Sequence, residues 1–312
     1  MRTFSVWSCV MFVAIAPVIA APKDAQYVDL TDDYVRFVDG TVGVESATRI
    51  ALFRRQMDAL LPGFYEPRNG ESSGQYDAHV SKALQKFSAQ RAGLERVQQN
   101  FPAAFASGIE HFRKYFPGWM PDVPVYLVHS LGEMDGGVRT LDGKRYLIFG
   151  ADVIAQIHDA HTLTPFLDHE LFHVENGKHF PECPQVWCTL WAEGLATYAA
   201  EVMTPGADDR QLLLMNPEPI RAATDARWRD ALCFTRAKLD SSADADVEAL
   251  FVGGESTGEL PKRFGYYVGL RAIESLNDRY DLRALAHMPP AKAKKTLSDA
   301  LAGLIQAAGG CR

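Results

Sequence analysis

Apolar positions recur along this chain with two different periods. From about residue 30 to 117 the period is that of a helix. In RIALFRRQMDALL, Ile50, Phe53, Met57 and Leu60/Leu61 fall on one face. Pro62-Gly63 then stops the segment. YDAHVSKALQKFSAQRAGLERVQQNF and AAFASGIEHFRKYF are two further amphipathic segments. His79 and His111 lie on them and read as surface or internally satisfied histidines rather than ligands.

The pattern changes at Pro121. VPVYLVH alternates and is rich in β-branched residues, which predicts a strand. GVRTL and KRYLIF follow, separated by Asp142-Gly143, a strong two-residue hairpin signal. A small antiparallel sheet is expected here, with Gly136-Gly137 at the entrance of an edge strand. After residue 160 the helical period returns. Breaks are expected around Pro205, Pro217 to Pro219, Ser241-Ser242, Gly253-Gly254 and Pro289-Pro290. The fold class is therefore α+β and mainly helical.

Composition narrows the function classes. With 47% hydrophobic and 23% charged residues, 312 residues can bury a sizeable core. The net charge of -7 and the lack of a Lys/Arg run argue against a nucleic-acid or anionic-membrane partner. Arg2, the apolar run VWSCVMFVAIAPVIA and the small residues Val18 and Ala20 form a secretory signal pattern, cut after Ala20. A membrane anchor fits less well, because the run is short and contains Pro17. Cleavage removes Arg2 and no acidic side chain, so the charge becomes -8. Cys9 departs with the leader and is badly placed for lipid attachment. Cys183, Cys188, Cys233 and Cys311 remain, and in an exported protein they allow two disulfides. Cys183–Cys188 with Cys233–Cys311 is the preferred pairing.

Candidate chemistry sits in HELFHVENGKHF, residues 169 to 180. Histidines four apart on a helix can aim both imidazoles at one point. His169 and His173 therefore supply two ligands of a tetrahedral zinc site. Glu170 lies beside them, where a carboxylate can take a proton from an attacking water. Thr162 or Thr164 can cap the helix, Pro165 suits its first turn, and Asn176-Gly177 suit its end. The third ligand has two candidates. His179 follows His173 by six residues, as in HExxHxxGxxH peptidases of the metzincin group, although Asn176 stands at the glycine position. Met203 would then be the methionine beneath the metal. Glu193 follows His173 by twenty residues and lies in WAEGLATYAAEVM, which reads as a second helix.

With HExxH followed by EGLATY, the chain resembles the gluzincin metallopeptidases, and in particular small bacterial members described as predicted zinc-dependent proteases. The resemblance covers residues 165 to 203. It implies His169, His173 and Glu193 as ligands of one Zn2+ and Glu170 as general base. Thr197, one turn beyond Glu193, and Asp168 are candidates to hydrogen-bond a ligand from behind. Many gluzincins carry aspartate where Thr197 stands. The glycine and alanine after Glu193 would let its helix approach the HExxH helix closely. RFGYYVGLRAIESL resembles a helix that follows the metal site in the same group and offers Tyr267 first, then Tyr266, as a donor to the oxyanion, with His287 a further candidate. By the same resemblance Gly136, Gly137, Val138 and Arg139 would form the edge strand that holds the substrate backbone.

The expected organisation is a leader at 1–20, a helical region at 21–117 and a catalytic region at 118–312, which together can form one unit. The leading function is an exported (periplasmic or secreted) zinc metallopeptidase acting on a peptide or protein, with no nucleic acid and no stable membrane insertion. A non-catalytic zinc-binding interaction protein is the alternative from another class, and Glu170 argues against it. A metal-free helical binding protein with a chance motif is a third.

Overall fold

The computed structural model describes residues 26–67, 70–180, 183–253 and 258–311. The leader with Arg2, Cys9 and Ala20 lies outside these residues, as does Gly254.

Three helices come first among the helices of the described residues: α1 (Thr31–Gly40), α2 (Ser46–Leu60) and α3 (Ser73–Tyr115). Phe53 and Met57 of α2 are buried, as the periodicity predicts. The two amphipathic segments expected before residue 117 are one helix of 43 residues, which runs through Pro102. A proline removes one backbone donor from a helix interior. Here buried Phe101, Phe105, Ile109 and Phe112 pack the helix on both sides of that point. Ser72 and Gln75 form a reciprocal capping box at its start.

Among the described residues four short strands form a hairpin added to the edge of a parallel pair. They are β1 (Val28–Asp29), β2 (Val125–Val128), β3 (Gly136–Leu141) and β4 (Lys144–Gly150), in the order β1-β2-β4-β3. β3 and β4 pair antiparallel around Asp142-Gly143, with Val138 opposite Leu147. β2 pairs parallel with both β1 and β4. The sheet is thus mixed, which corrects the antiparallel expectation. Hairpin chemistry is local and readable, whereas pairing of β2 with β4 depends on where the chain returns after β3. β3 occupies one edge of the sheet.

The remainder is helical: α4 (Ala151–Ile157), α5 (Leu163–His179), α6 (Val186–Met203), α7 (Ile220–Asp225), α8 (Trp228–Lys238), α9 (Asp244–Phe251), α10 (Phe264–Glu274), α11 (Leu282–Ala286) and α12 (Pro290–Ala307). Pro205, Pro217 to Pro219, Ser241-Ser242 and Gly253 fall between helices, and Pro289-Pro290 opens α12. α5 packs against α3, α6 and β3, and α6 packs against α10. α6 is buried nearly all round, from Val186 and Trp187 to Ala200 and Met203.

One hydrophobic core runs from Leu30 to Leu301, so the N-terminal helices and the later elements share a single interior. Disulfides join Cys183 to Cys188 and Cys233 to Cys311, the preferred pairing. Among the described residues no helix is long and apolar enough to cross a membrane.

Candidate metal centre

α5 carries the HExxH sequence across its middle. It starts with Thr162 in the cap position and Pro165 in the first turn. The helix does not end at Asn176-Gly177 but continues to His179. Gly177 lies inside it, where Arg145 from β4 donates to its carbonyl at 3.3 Å. Phe166, Leu167, Leu171 and Phe172 are fully buried and fix the helix's rotation. That rotation aims His169 and His173 toward α6.

Glu193 meets them there. Its Oε2 lies 3.2 Å from His169 Nε2 and 3.5 Å from His173 Nε2. The two Nε2 atoms are 3.2 Å apart. Three lone-pair donors thus face one point. A tetrahedral zinc with bonds of ~2.0–2.1 Å places its ligand atoms roughly 3.3 Å apart, so the donor set fits that ion. His169 is buried, while His173 and Glu193 keep 20% and 19% of their side-chain surface exposed toward a cleft.

Two backbone approaches place Glu193 and the strand. A Cβ on Gly194 would stand 2.6 Å from the carbonyl carbon of Gly269, and one on Gly269 would stand 2.9 Å from the Cα of Gly194. The glycine after Glu193 therefore serves the α6–α10 crossing, not the approach to α5 that the sequence suggested. At the other wall, a Cβ on Gly136 would meet Phe166 at 2.7 Å and Glu170 at 3.0 Å. β3 is pressed against the Glu170 carboxylate, beside the three donors. The Cys183–Cys188 bridge spans the connection between α5 and α6, and both cysteines line the cleft.

The cleft has a volume of about 430 Å3. Gly136 to Arg139, Glu170, Arg145, Arg263 and Tyr266 line it with the three donors. Burial pushes the Glu170 carboxyl up to about 8; Asp135 and Glu193 add to the shift, and His173 and Arg139 oppose it. Burial disfavours a charged His173, yet the carboxylates of Glu193 and Glu170 outweigh it and lift its pKa to about 9. Burial holds the His169 imidazole below its ordinary value. Desolvation disfavours a charged Glu193, but His173 and His169 outweigh it and pull its pKa below the usual carboxylate range.

The remaining sequence candidates divide. Tyr266 lines the cleft with its ring centroid 6.3 Å from that of His169 and Arg263 over its face at 4.5 Å. Burial, then the charge of Glu193, raises its pKa, so its hydroxyl keeps its proton. Tyr267, the preferred candidate, points away: its hydroxyl donates to Asp225 at 2.9 Å and accepts from Arg271 at 3.0 Å. Adjacent helix positions face different sides, and the preference between the two tyrosines is reversed.

Asp168 does not reach the donors either. It is fully buried toward α3, where His111 Nδ1 lies 2.8 Å from its Oδ2. Thr197 donates to the backbone carbonyl of Glu193 at 2.8 Å and not to its carboxylate. Met203, ten residues beyond Glu193, ends α6 roughly 15 Å along the helix. His179 and His287 lie away from the cleft, where both approach Glu175. His79 is satisfied by the Leu131 carbonyl at 2.8 Å.

Asp135, Arg145 and Arg263 line the cleft without having been singled out in the sequence. Arg263 has a left-handed backbone (φ 60) at the start of α10, directly before FGYY, and that adjacency to Tyr266 is the one signal that was available. No protein-family model, curated protein or solved structure matches the chain.

Proposed function

We propose that this protein is an exported zinc-dependent peptidase of the gluzincin type. The carrying observation is the convergence of His169, His173 and Glu193 beside a buried Glu170 and an open sheet edge. His169, His173 and Glu193 would hold the ion. When bound, zinc would supply Lewis acidity toward the attacking water and the carbonyl.

The chain's own residues account for the other requirements. Glu170 accepts the proton of the attacking water and passes it to the leaving amine. Its carboxylate lines the cleft beside the three donors and against β3, within reach of a water held between them. Tyr266 keeps its hydroxyl proton and donates it as a hydrogen bond to the oxyanion. The free edge of β3, from Gly136 to Arg139, adds the substrate backbone as a further strand. Gly136 keeps that strand close enough for the scissile carbonyl to lie against Glu170. Export is supported by the leader pattern at residues 1–20 and by two disulfides, which persist in oxidising compartments.

The test is the Glu170→Gln variant of the mature protein. It should retain one zinc on the His169 cluster while hydrolysis of a denatured protein substrate falls by at least about a hundredfold. Retention of zinc with every measured activity unchanged would sink the peptidase reading and leave a metal-binding interaction protein.

A further inference from the structure

The two histidines that sequence reasoning offered to the catalytic site, His179 and His287, meet elsewhere. Glu175 and His179 repeat on α5 the i, i+4 spacing of His169 and His173. Glu175 lies about 200° around the helix from His173, so this second pair faces away from the cleft. His287, the residue that ends α11, comes against it. Glu175 Oε1 is 2.8 Å from His287 Nε2 and 3.7 Å from His179 Nε2. The two rings lie 4.0 Å apart, centroid to centroid. The three donor atoms fall within 4.8 Å of one another, as do those of the first cluster.

The carboxylate is oriented for a ligand's role. Its Oε2 accepts from the Trp119 indole at 2.7 Å and from Lys178 at 3.0 Å. Its Oε1 is left toward the two imidazoles. Metal-bound carboxylates are commonly held in this way, one oxygen fixed by hydrogen bonds and the other on the ion. Glu175 is buried, and Phe116 packs against His287, which limits the freedom of both. Lys178 opposes a cation here, but it also faces Asp122 at 3.8 Å and can turn to it.

We propose that Glu175, His179 and His287 form a second divalent-metal site, one that takes Zn2+ or another first-row ion with an affinity for imidazole. Two imidazoles and one carboxylate select such ions over Mg2+ and Ca2+, which take oxygen ligands. The ion clips the last turn of α5 to the end of α11. The proposal stands on its own geometry and does not depend on what the first cluster does.

Metal binding to the oxidised mature chain separates the two sites. The probe is ZnCl2 in equilibrium dialysis, with CoCl2 absorption as a second readout. The His169→Ala/His173→Ala protein should bind one equivalent, and adding His287→Ala or His179→Ala should abolish it. A double variant that is folded by circular dichroism yet binds no metal would overturn the proposal. If that double variant does not fold, wild type and His287→Gln are compared instead. Loss of one equivalent in His287→Gln supports the site, whether wild type binds two or one; unchanged stoichiometry overturns it. A wild type that binds one equivalent, lost in His287→Gln and kept in His173→Ala, would support the second site while refuting the first.

Discussion

At the scale of single residues, the site is a contest between candidate side chains, separated by helix phase. Glu193 and His179 both stood as third ligand. Glu193 lies within hydrogen-bond distance of His169 Nε2, whereas His179 is turned to Glu175. Glu193→Ala should therefore weaken zinc at this cluster by more than the 10–100-fold typical of losing an outer partner. His179→Ala should leave that affinity unchanged, and competition with a zinc chelator reads both. The tyrosines make a second pair. Tyr266→Phe should lower kcat by roughly 10²–10³ with zinc retained, the usual effect of losing one oxyanion donor. Tyr267→Phe should leave kcat alone and lower stability by only about 0.5–1.5 kcal/mol, because water can replace the lost hydroxyl at exposed Asp225 and half-buried Arg271. Equal effects of the two substitutions on kcat would contradict the placement.

At the scale of elements, the site depends on how closely three helices and one strand can lie. Gly194 and Gly269 let α6 and α10 cross with backbone against backbone. Gly194→Ala should force these helices apart and cost about 1–3 kcal/mol. Because Glu193 is the preceding residue, zinc affinity should fall with it, and titration alongside urea unfolding checks the coupling. A stable Gly194→Ala protein with wild-type zinc affinity would show that α10 does not position the ligand. HExxH, the Asp142-Gly143 hairpin and the Cys183–Cys188 pair were legible in the sequence because each is a local pattern with a fixed spacing. The extension of α5 to His179 and the passage of α3 through Pro102 were not legible. Both rest on packing by elements distant in sequence, Arg145 at the first and the shared core at the second.

At the scale of the whole molecule, His129 joins regions far apart in the chain. It stacks on Tyr34 of α1 at 3.8 Å, lies 3.6 Å from Asp152 of α4, and is almost fully buried. Burial holds its pKa below the ordinary value, with Asp152 opposing the shift only in part. Above pH ~6.5 the imidazole is neutral folded and unfolded alike, so it adds no pH dependence. Below that the unfolded chain binds a proton that the folded chain resists, and stability falls as pH falls. The slope from this one group is at most about 1.4 kcal/mol per pH unit. Urea midpoints at pH 7.5 and 5.5 should differ more for wild type than for His129→Gln. An equal difference in the two proteins would remove His129 as a cause.

Local rules were enough for the helical character, the hairpin, the Cys183–Cys188 pairing, and the placing of His169 and His173 on one helix face with Glu170 beside them. Each depends on intervals of two to four residues or on covalent reach. The mixed pairing of β2, the turning of Tyr267 toward Asp225, and the gathering of Glu175, His179 and His287 on the far side of α5 depended on the folded chain. In these cases the partner is distant in sequence, and the phase of a packed helix decides which side chain meets it. The same holds for Glu193: the sequence offered it as one of two third ligands, and the packing of α6 between α5 and α10 brought it to the two histidines.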